Sequence, residues 1–349
     1  MIYSIITSFI VSVVLISFVI KFCNKHGFYD KTNARKVHTG NIPRLGAVGF
    51  VTGYSVGMII FLILNFNTIQ WTRFLPLFLS GLIIFIFGIL DDFVELPAKT
   101  KLFVQCISAG ILVAFGFRFK NILGIDIGWA SYIITFIWII GVINAFNLID
   151  GVDALCGGLS FFIILTIGLI NLKNDSHVSA ICFILIAAIA GFLVYNKPKA
   201  KIFMGDGGSQ FLGFIIAVLP LYTEEECNNP VQIFSIALLC AIPIFDTFAA
   251  MWRRKREHRS FFDADRSHLH HKLMNMGYKT SGILGLLYSI QIFLSVIVLI
   301  ADFIRGRKCY LILFAGYFAM ILFFALIHYT NRAVMLSKRP DFKSELDEQ

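Results

Sequence analysis

Two amides and two carboxylates crowd into ten residues, Asn144-Ala145-Phe146-Asn147-Leu148-Ile149-Asp150-Gly151-Val152-Asp153, where one apolar run ends and another begins. Asn147, Asp150 and Asp153 are spaced by three, so a helix continuing through them would carry all three on one face. Carboxylates near a membrane are costly unless they meet water, a cation or each other, which makes this stretch a candidate site.

Four further stretches carry chemistry-bearing residues. Asp91 and Asp92 close an apolar run in Gly88-Ile89-Leu90-Asp91-Asp92-Phe93-Val94-Glu95. The plain alternative is a helix stop with solvated acids, but a helix C-terminus disfavours negative charge. Adjacent carboxylates at a dielectric boundary suit a divalent cation or a shared proton. Lys101, opening the next run, reads by itself as an interfacial lysine with its stem in lipid. Between Lys201 and Ser209, three glycines surround Asp206. They allow tight turns and close backbone approach, and the following helix would offer N-terminal amides to an anion. No GxxxxGK[ST] is present, so this is not a Walker loop; its plain alternative is a turn capped by Asp206.

The long loop 252–271 opens with a basic run that reads as an anchor for anionic headgroups. It ends in Ala264-Asp265-Arg266-Ser267-His268-Leu269-His270-His271. His-x-His-His lacks the spacing of a zincin and has no Cys beside it, so Arg266, His268, His270 and His271 suit a polyanionic ligand or proton transfer better than zinc. Asp246 reads as a cap or a partner for Arg253 or Arg254. The loop 35–46 adds cations, His38 and a turn stiffened by Pro43; alone, it could be a topology signal.

The elements that must position these residues follow from composition. The 349 residues are 58% hydrophobic, 15% aromatic and 15% charged, far too apolar for a soluble domain. The net charge of +9 raises nucleic acid as a partner, but the basic residues sit between apolar runs, which excludes that reading. Seven cysteines show no CxxC pair and read as small core residues. The expected fold is an all-α polytopic membrane protein with eleven spans, near 2–20, 47–64, 73–90, 102–117, 129–147, 154–171, 177–194, 208–222, 231–251, 281–301 and 309–329. The first run lacks a basic n-region and a cleavage site, so it reads as a retained helix. Loops on one side hold 23 of the 30 Lys and Arg, which predicts the N-terminus outside and the C-terminus in the cytoplasm. The loops 35–46, 91–101, 147–153, 197–209 and 252–277 then share the cytoplasmic face. The chain reads as one transmembrane domain over 1–330 with a short cytoplasmic tail, 331–349.

Asp91-Asp92, Asn147-x-x-Asp150-x-x-Asp153, Gly205-Asp206-Gly207-Gly208-Ser209 and Ala264 to His271, in this order, resemble the polyprenyl-phosphate N-acetylhexosamine-1-phosphate transferases, glycosyltransferase family 4. The resemblance spans about 35 to 277. The Ala-Asp-Arg-x-His-Leu-His-His form is similar to the WecA/TagO-like branch, which transfers a free amino-sugar phosphate; the MraY branch, which transfers MurNAc-pentapeptide, has a related loop.

The resemblance implies transfer of GlcNAc-1-phosphate from UDP-GlcNAc to undecaprenyl phosphate with release of UMP, at the inner headgroup level of a bacterial cytoplasmic membrane. It implies Mg²⁺, with Mn²⁺ as an alternative, on Asn147 and Asp206. It further implies Asp91, Asp92 and Asp206 as catalytic residues, Lys101 on the diphosphate, Asp153 with Asp150 facing uracil, and Arg266, His268, His270 and His271 near phosphates or sugar. Phosphoryl transfer asks a protein mainly to position groups and neutralise charge, and these residue types fit. A lipid phosphate with a second pKa of about 6 needs little base help, so direct attack is expected over a covalent aspartyl intermediate. Glu95 stands where some relatives carry a third Asp, and Arg44-Leu45-Gly46-Ala47 where many carry two adjacent glycines. Partners are the lipid acceptor, a UDP-N-acetylhexosamine and the bilayer; a homodimer is compatible with the sequence. The competing reading of another class is a cation-coupled transporter, although no internal repeat supports it.

Overall fold

Backbone polar groups in a bilayer must be satisfied within the protein, and the apolar runs achieve this as helices. The computed structural model describes residues 1–29, 41–172, 177–223, 227–260, 268–304 and 306–337. In chain order its helices are α1 (Ile2–His26), α2 (Gly46–Leu64), α3 (Trp71–Val94), α4 (Ala98–Ala114), α5 (Ala130–Ile149), α6 (Leu155–Asn171), α7 (His177–Asn196), α8 (Asp206–Val218), α9 (Gln232–Leu239), α10 (Ala241–Arg256), α11 (Leu269–Asn275), α12 (Thr280–Ile304) and α13 (Arg307–Ser337). A two-residue antiparallel hairpin, β1 (Asn121–Ile122) and β2 (Ile125–Asp126), departs from the helical pattern between α4 and α5.

This is an all-α polytopic membrane protein. Among the described residues seven helices (α1, α2, α3, α5, α7, α12 and α13) are long and apolar enough to cross a membrane, and the bent pair α9 and α10 makes up to eight. Two of the remaining runs form shorter apolar helices, α6 with 17 residues and α8 with its 3-10 extension to Leu221, and α4 is a helix of 17 residues. The run expected as one span over 231–251 bends by 80° at Cys240. Pro243 has no N–H to give the Leu239 carbonyl four residues back. Gln291 of α12 supplies the missing donor, its Nε2 reaching that carbonyl at 3.1 Å.

Small residues bring the helices close, as they must where lipid tails are as apolar as Leu. On α1, Ser8 and Ser12 donate to the Ile184 and Ala188 carbonyls of α7, each at 2.8 Å, while Gly53 of α2 lies against the α1 backbone. The central element is α8, in which every residue from Gly207 to Val218 is buried. Gly88 of α3 meets it so closely that a Cβ there would lie 2.5 Å from Gly207 Cα, and Gly213 packs on Ile143 of α5. These approaches bring the ends of α3 and α5 to the start of α8, where Asp91, Asp92, Asn147 and Asp206 sit.

Candidate active site

Gly205, with φ 80° and ψ 170°, makes the turn into α8; a side chain there would strike the Arg44 carbonyl and the Asp92 carboxylate. Asp92 accepts the backbone N–H of Asp206 at 2.7 Å and of Gly207 at 3.1 Å. These N-terminal amides of α8 are therefore occupied by a carboxylate of the protein, where the sequence suggested an external anion. Arg44 bridges Asp92 and Asp206, Nε to Asp92 Oδ1 at 3.1 Å and Nη2 to Asp206 Oδ1 at 2.6 Å. Lys101 bridges the other way, Nζ to Asp206 Oδ2 at 2.8 Å and to Asp91 Oδ2 at 2.5 Å. Asp91 also accepts the Leu96 N–H at 2.7 Å, so the adjacent acids point to different partners.

Arg44 carries a role that the sequence left open. Backbone pairing delivers it: Phe203 N–H to Pro43 O at 2.8 Å, Gly46 N–H to Phe203 O at 2.9 Å and Ala47 N–H to Met204 O at 3.0 Å. The turn stiffened by Pro43, directly before Arg44, was the available signal.

Asp206 and Arg44 open onto a cavity of about 470 Å³, which Asn147, Asp150, Asp153, Lys199, His270 and His271 also line. The expected helical stripe stops early, because α5 ends at Ile149 and Asp150 is its C-cap, with Gly151 next. The turn that replaces it still puts all three residues on the cavity. Asn147 donates from Nδ2 to Ser209 Oγ at 3.1 Å, which aligns the amide. Burial, with Asp206 nearby, pushes the Asp150 carboxyl up to about 7. Asp153 Oδ2 accepts the N–H groups of Lys199 and Ala200 at 3.1 and 3.0 Å, so it also shapes the rim.

The second wall comes from the histidine segment. Asp246, which the sequence offered as a cap or a partner for Arg253 or Arg254, gives both its oxygens to that segment: Oδ2 lies 2.9 Å from His268 Nδ1 and Oδ1 accepts the Leu269 N–H at 2.8 Å. The rings of His268 and His270 stack at 6.0 Å, and His271 follows at 4.3 Å from His270. His270 lies against Gly151, where a Cβ would come within 2.6 Å of its ring. Burial, reinforced by His271, holds His270 down to about 3, so it is neutral at physiological pH. Arg266 lies outside the described residues. The site thus has a front layer of Arg44, Asn147, Asp150, Asp153, Asp206, His270 and His271, with Asp91, Asp92, Lys101 and His268 behind it.

The sequence profile of glycosyl transferase family 4 matches residues 74–224. A probable undecaprenyl-phosphate N-acetylglucosaminyl 1-phosphate transferase of Bacillus subtilis (strain 168) is 34% identical over 337 residues, 93% of this chain and 91% of that protein. The chain belongs to glycosyl transferase family 4. An undecaprenyl-phosphate alpha-N-acetylglucosaminyl 1-phosphate transferase of Escherichia coli (strain K12) is 32% identical over 287 residues, 78% of this chain and 76% of the relative. Its namesake from Yersinia pestis is 32% identical over 266 residues, 73% and 71% of the two chains. In this family 4 transferase the matched segment contains Asp91, Asp92, Lys101, Asn147, Asp150, Asp153 and Asp206, while Arg44 and the histidine wall lie outside it.

Proposed function

We propose that this family 4 transferase moves GlcNAc-1-phosphate from UDP-GlcNAc to undecaprenyl phosphate, forming undecaprenyl-diphospho-GlcNAc and UMP, the first membrane step of a cell-envelope polysaccharide. The observation that carries the reading is Asp206, held between Arg44 and Lys101 at the head of α8 and open to the cavity. The names of the relatives supply the substrates. Among the described residues the inner cluster sets three carboxylates against two cations, a balance that a divalent cation would offset.

The donors fit Mg²⁺, which takes oxygen ligands and keeps several waters. Asn147 and Asp206, with Asp150 beside them, bring amide and carboxylate oxygens to one cavity. When bound there, the ion would neutralise charge on the donor diphosphate. The chain's own groups do the rest. Arg44 and Lys101, each 27% exposed, can turn toward phosphate oxygens while still bonded to Asp206. An oxygen of the lipid phosphate forms a bond to the phosphorus that bears the sugar; the bond from that phosphorus to the bridging oxygen breaks, and its electron pair leaves with UMP. The lipid phosphate is largely dianionic at neutral pH, with a second pKa of about 6, so no base is required. Asp92 is engaged by two amides and Arg44, and Asp91 by Leu96 and Lys101, which suits orientation better than nucleophilic attack. His270 and His271, on the opposite wall, would meet the sugar or phosphates.

In this reading the chain has eleven spans, with the short helices counted, and the basic loops and the site face the cytoplasm. A lipid phosphate at the headgroup level and a soluble nucleotide then meet at one surface. UMP release by purified protein with undecaprenyl phosphate, Mg²⁺ and UDP-GlcNAc tests the reaction. Release that needs all three and collapses in Asp206→Asn is expected. Release only with UDP-MurNAc-pentapeptide or another UDP-amino sugar would replace the donor, and no release with any donor would overturn the reading.

A further inference from the structure

Lys101, Asn147 and Asp206 stand at the site-facing ends of three helices, α4, α5 and α8. Each has an amide side chain one turn deeper: Gln105, Asn144 and Gln210. These amides meet. Asn144 Nδ2 donates to Gln105 Oε1 at 2.7 Å, and Gln105 Nε2 donates to Gln210 Oε1 at 3.1 Å. Asn144 is also tied to its own helix through the Ile140 carbonyl at 2.8 Å. Gln105 is 1% and Gln210 5% exposed and Asn144 is half-buried, so the Gln105–Gln210 link is sealed from water.

Small-residue packing sets how closely these helices approach, but in lipid no hydrophobic drive between helices adds to it, because the tails are as apolar as Leu. A buried amide differs: shifted out of reach of its partner, it is left unsatisfied in an apolar medium. A single buried polar residue is known to specify register between helices. A helix rises about 1.5 Å per residue and is stiff over one turn, so fixing Gln105, Asn144 and Gln210 fixes the offsets of the residues just above them. We propose that Gln105, Asn144 and Gln210 form a three-helix clamp that holds Lys101, Asn147 and Asp206 in register for the reaction. They are positioning residues and do not touch substrate. The inference rests on the transfer reading for the meaning of that register.

The test replaces all three amides at once, because leaving one unpaired would confuse stability with position. In Gln105→Met/Asn144→Leu/Gln210→Met, purified full-length in detergent, we expect a folded protein with kcat down on the order of 10- to 100-fold, since misplacement by about 1 Å costs that much. KM for undecaprenyl phosphate should stay within about twofold. In calorimetric titration the gain in UDP affinity on adding Mg²⁺ should shrink. Gln210→Met, which cuts only the link to α8, should move the same readouts in the same direction by less, and it decides if the triple variant does not fold. Unchanged kcat and UDP affinity per folded molecule, whatever the Tm, would overturn the clamp. Failure of both variants to fold would do so too, by making the amides a stability feature. A silent wild type would instead sink the transfer reading and leave the UDP titration to decide the clamp.

Discussion

The carboxylate of Asp92 caps the helix that Asp206 begins, accepting the Asp206 N–H at 2.7 Å. One acid is thus spent on positioning another: α3 supplies the anion that a helix N-terminus favours, and α8 presents Asp206 outward. Asp92→Asn cannot accept both N–H groups and meet Arg44 as an anion. We expect it to lower UMP release by at least about 100-fold and stability by about 1–3 kcal/mol, the cost of unsatisfied buried groups. Asp206→Asn keeps the capped backbone and should lose activity with a smaller drop in Tm. Thermal unfolding beside the UMP assay separates the two, and equal Tm losses would contradict this division of roles.

Lys101 serves Asp91 and Asp206 together, at 2.5 and 2.8 Å. Removing it leaves two carboxylates without their shared cation. Lys101→Gln is expected to cost more than about tenfold in kcat, and its effect should not add to that of Asp91→Asn, because contacting residues couple. A double-variant cycle on kcat measures this. Strict additivity would mean that the two act independently.

The helical character of the apolar runs was legible because composition and length decide it, and so was the convergence of Asp91, Asn147, Asp206 and His270, since loops on one side of a membrane have few places to go. Three things were not. Pro243 marked the kink of α9 against α10, but only the structure shows Gln291 taking the freed Leu239 carbonyl, which stabilises a bend in place of a straight span. The three-residue spacing of Asn147, Asp150 and Asp153 suggested one helix face, yet the helix stops at Ile149 with Asp150 as its C-cap, and the three residues meet at the cavity through the turn that follows. Arg44 and Asp246 reach their partners across 162 and 22 residues, Asp206 and His268 respectively, distances at which local pattern carries no information.

Asp246 holds the histidine wall by two bonds, to the His268 ring and to the Leu269 N–H. Asp246→Asn can keep one of them, while His268→Gln frees the ring without disturbing the Leu269 bond. We expect Asp246→Asn to raise KM for the UDP-sugar and lower kcat by about tenfold, within the range for a displaced substrate contact, and His268→Gln to do less. Steady-state kinetics on both variants checks the order. A larger loss in His268→Gln would mean that the ring acts directly and Asp246 only supports it.

Asp150 and His270 should give stability opposite slopes with pH. The folded value of Asp150 is raised from 3.8 to about 7, so the folded state holds a proton that the unfolded chain releases, and stability falls as pH rises from about 4 to 7. For His270 the folded value is lowered from 6.5 to about 3, so its neutral form contributes fully above about 6.5 and stability is lost as pH falls toward 3. In metal-free protein, Asp150→Asn should therefore raise Tm relative to wild type at pH 8 more than at pH 4.5, whereas His270→Gln should compare best with wild type at pH 4.5. Thermal unfolding of the three proteins in EDTA across this range reads both slopes. A constant difference in Tm at every pH would show that neither group titrates in these windows, and would remove burial in the cavity wall as the cause of their shifted ionisation.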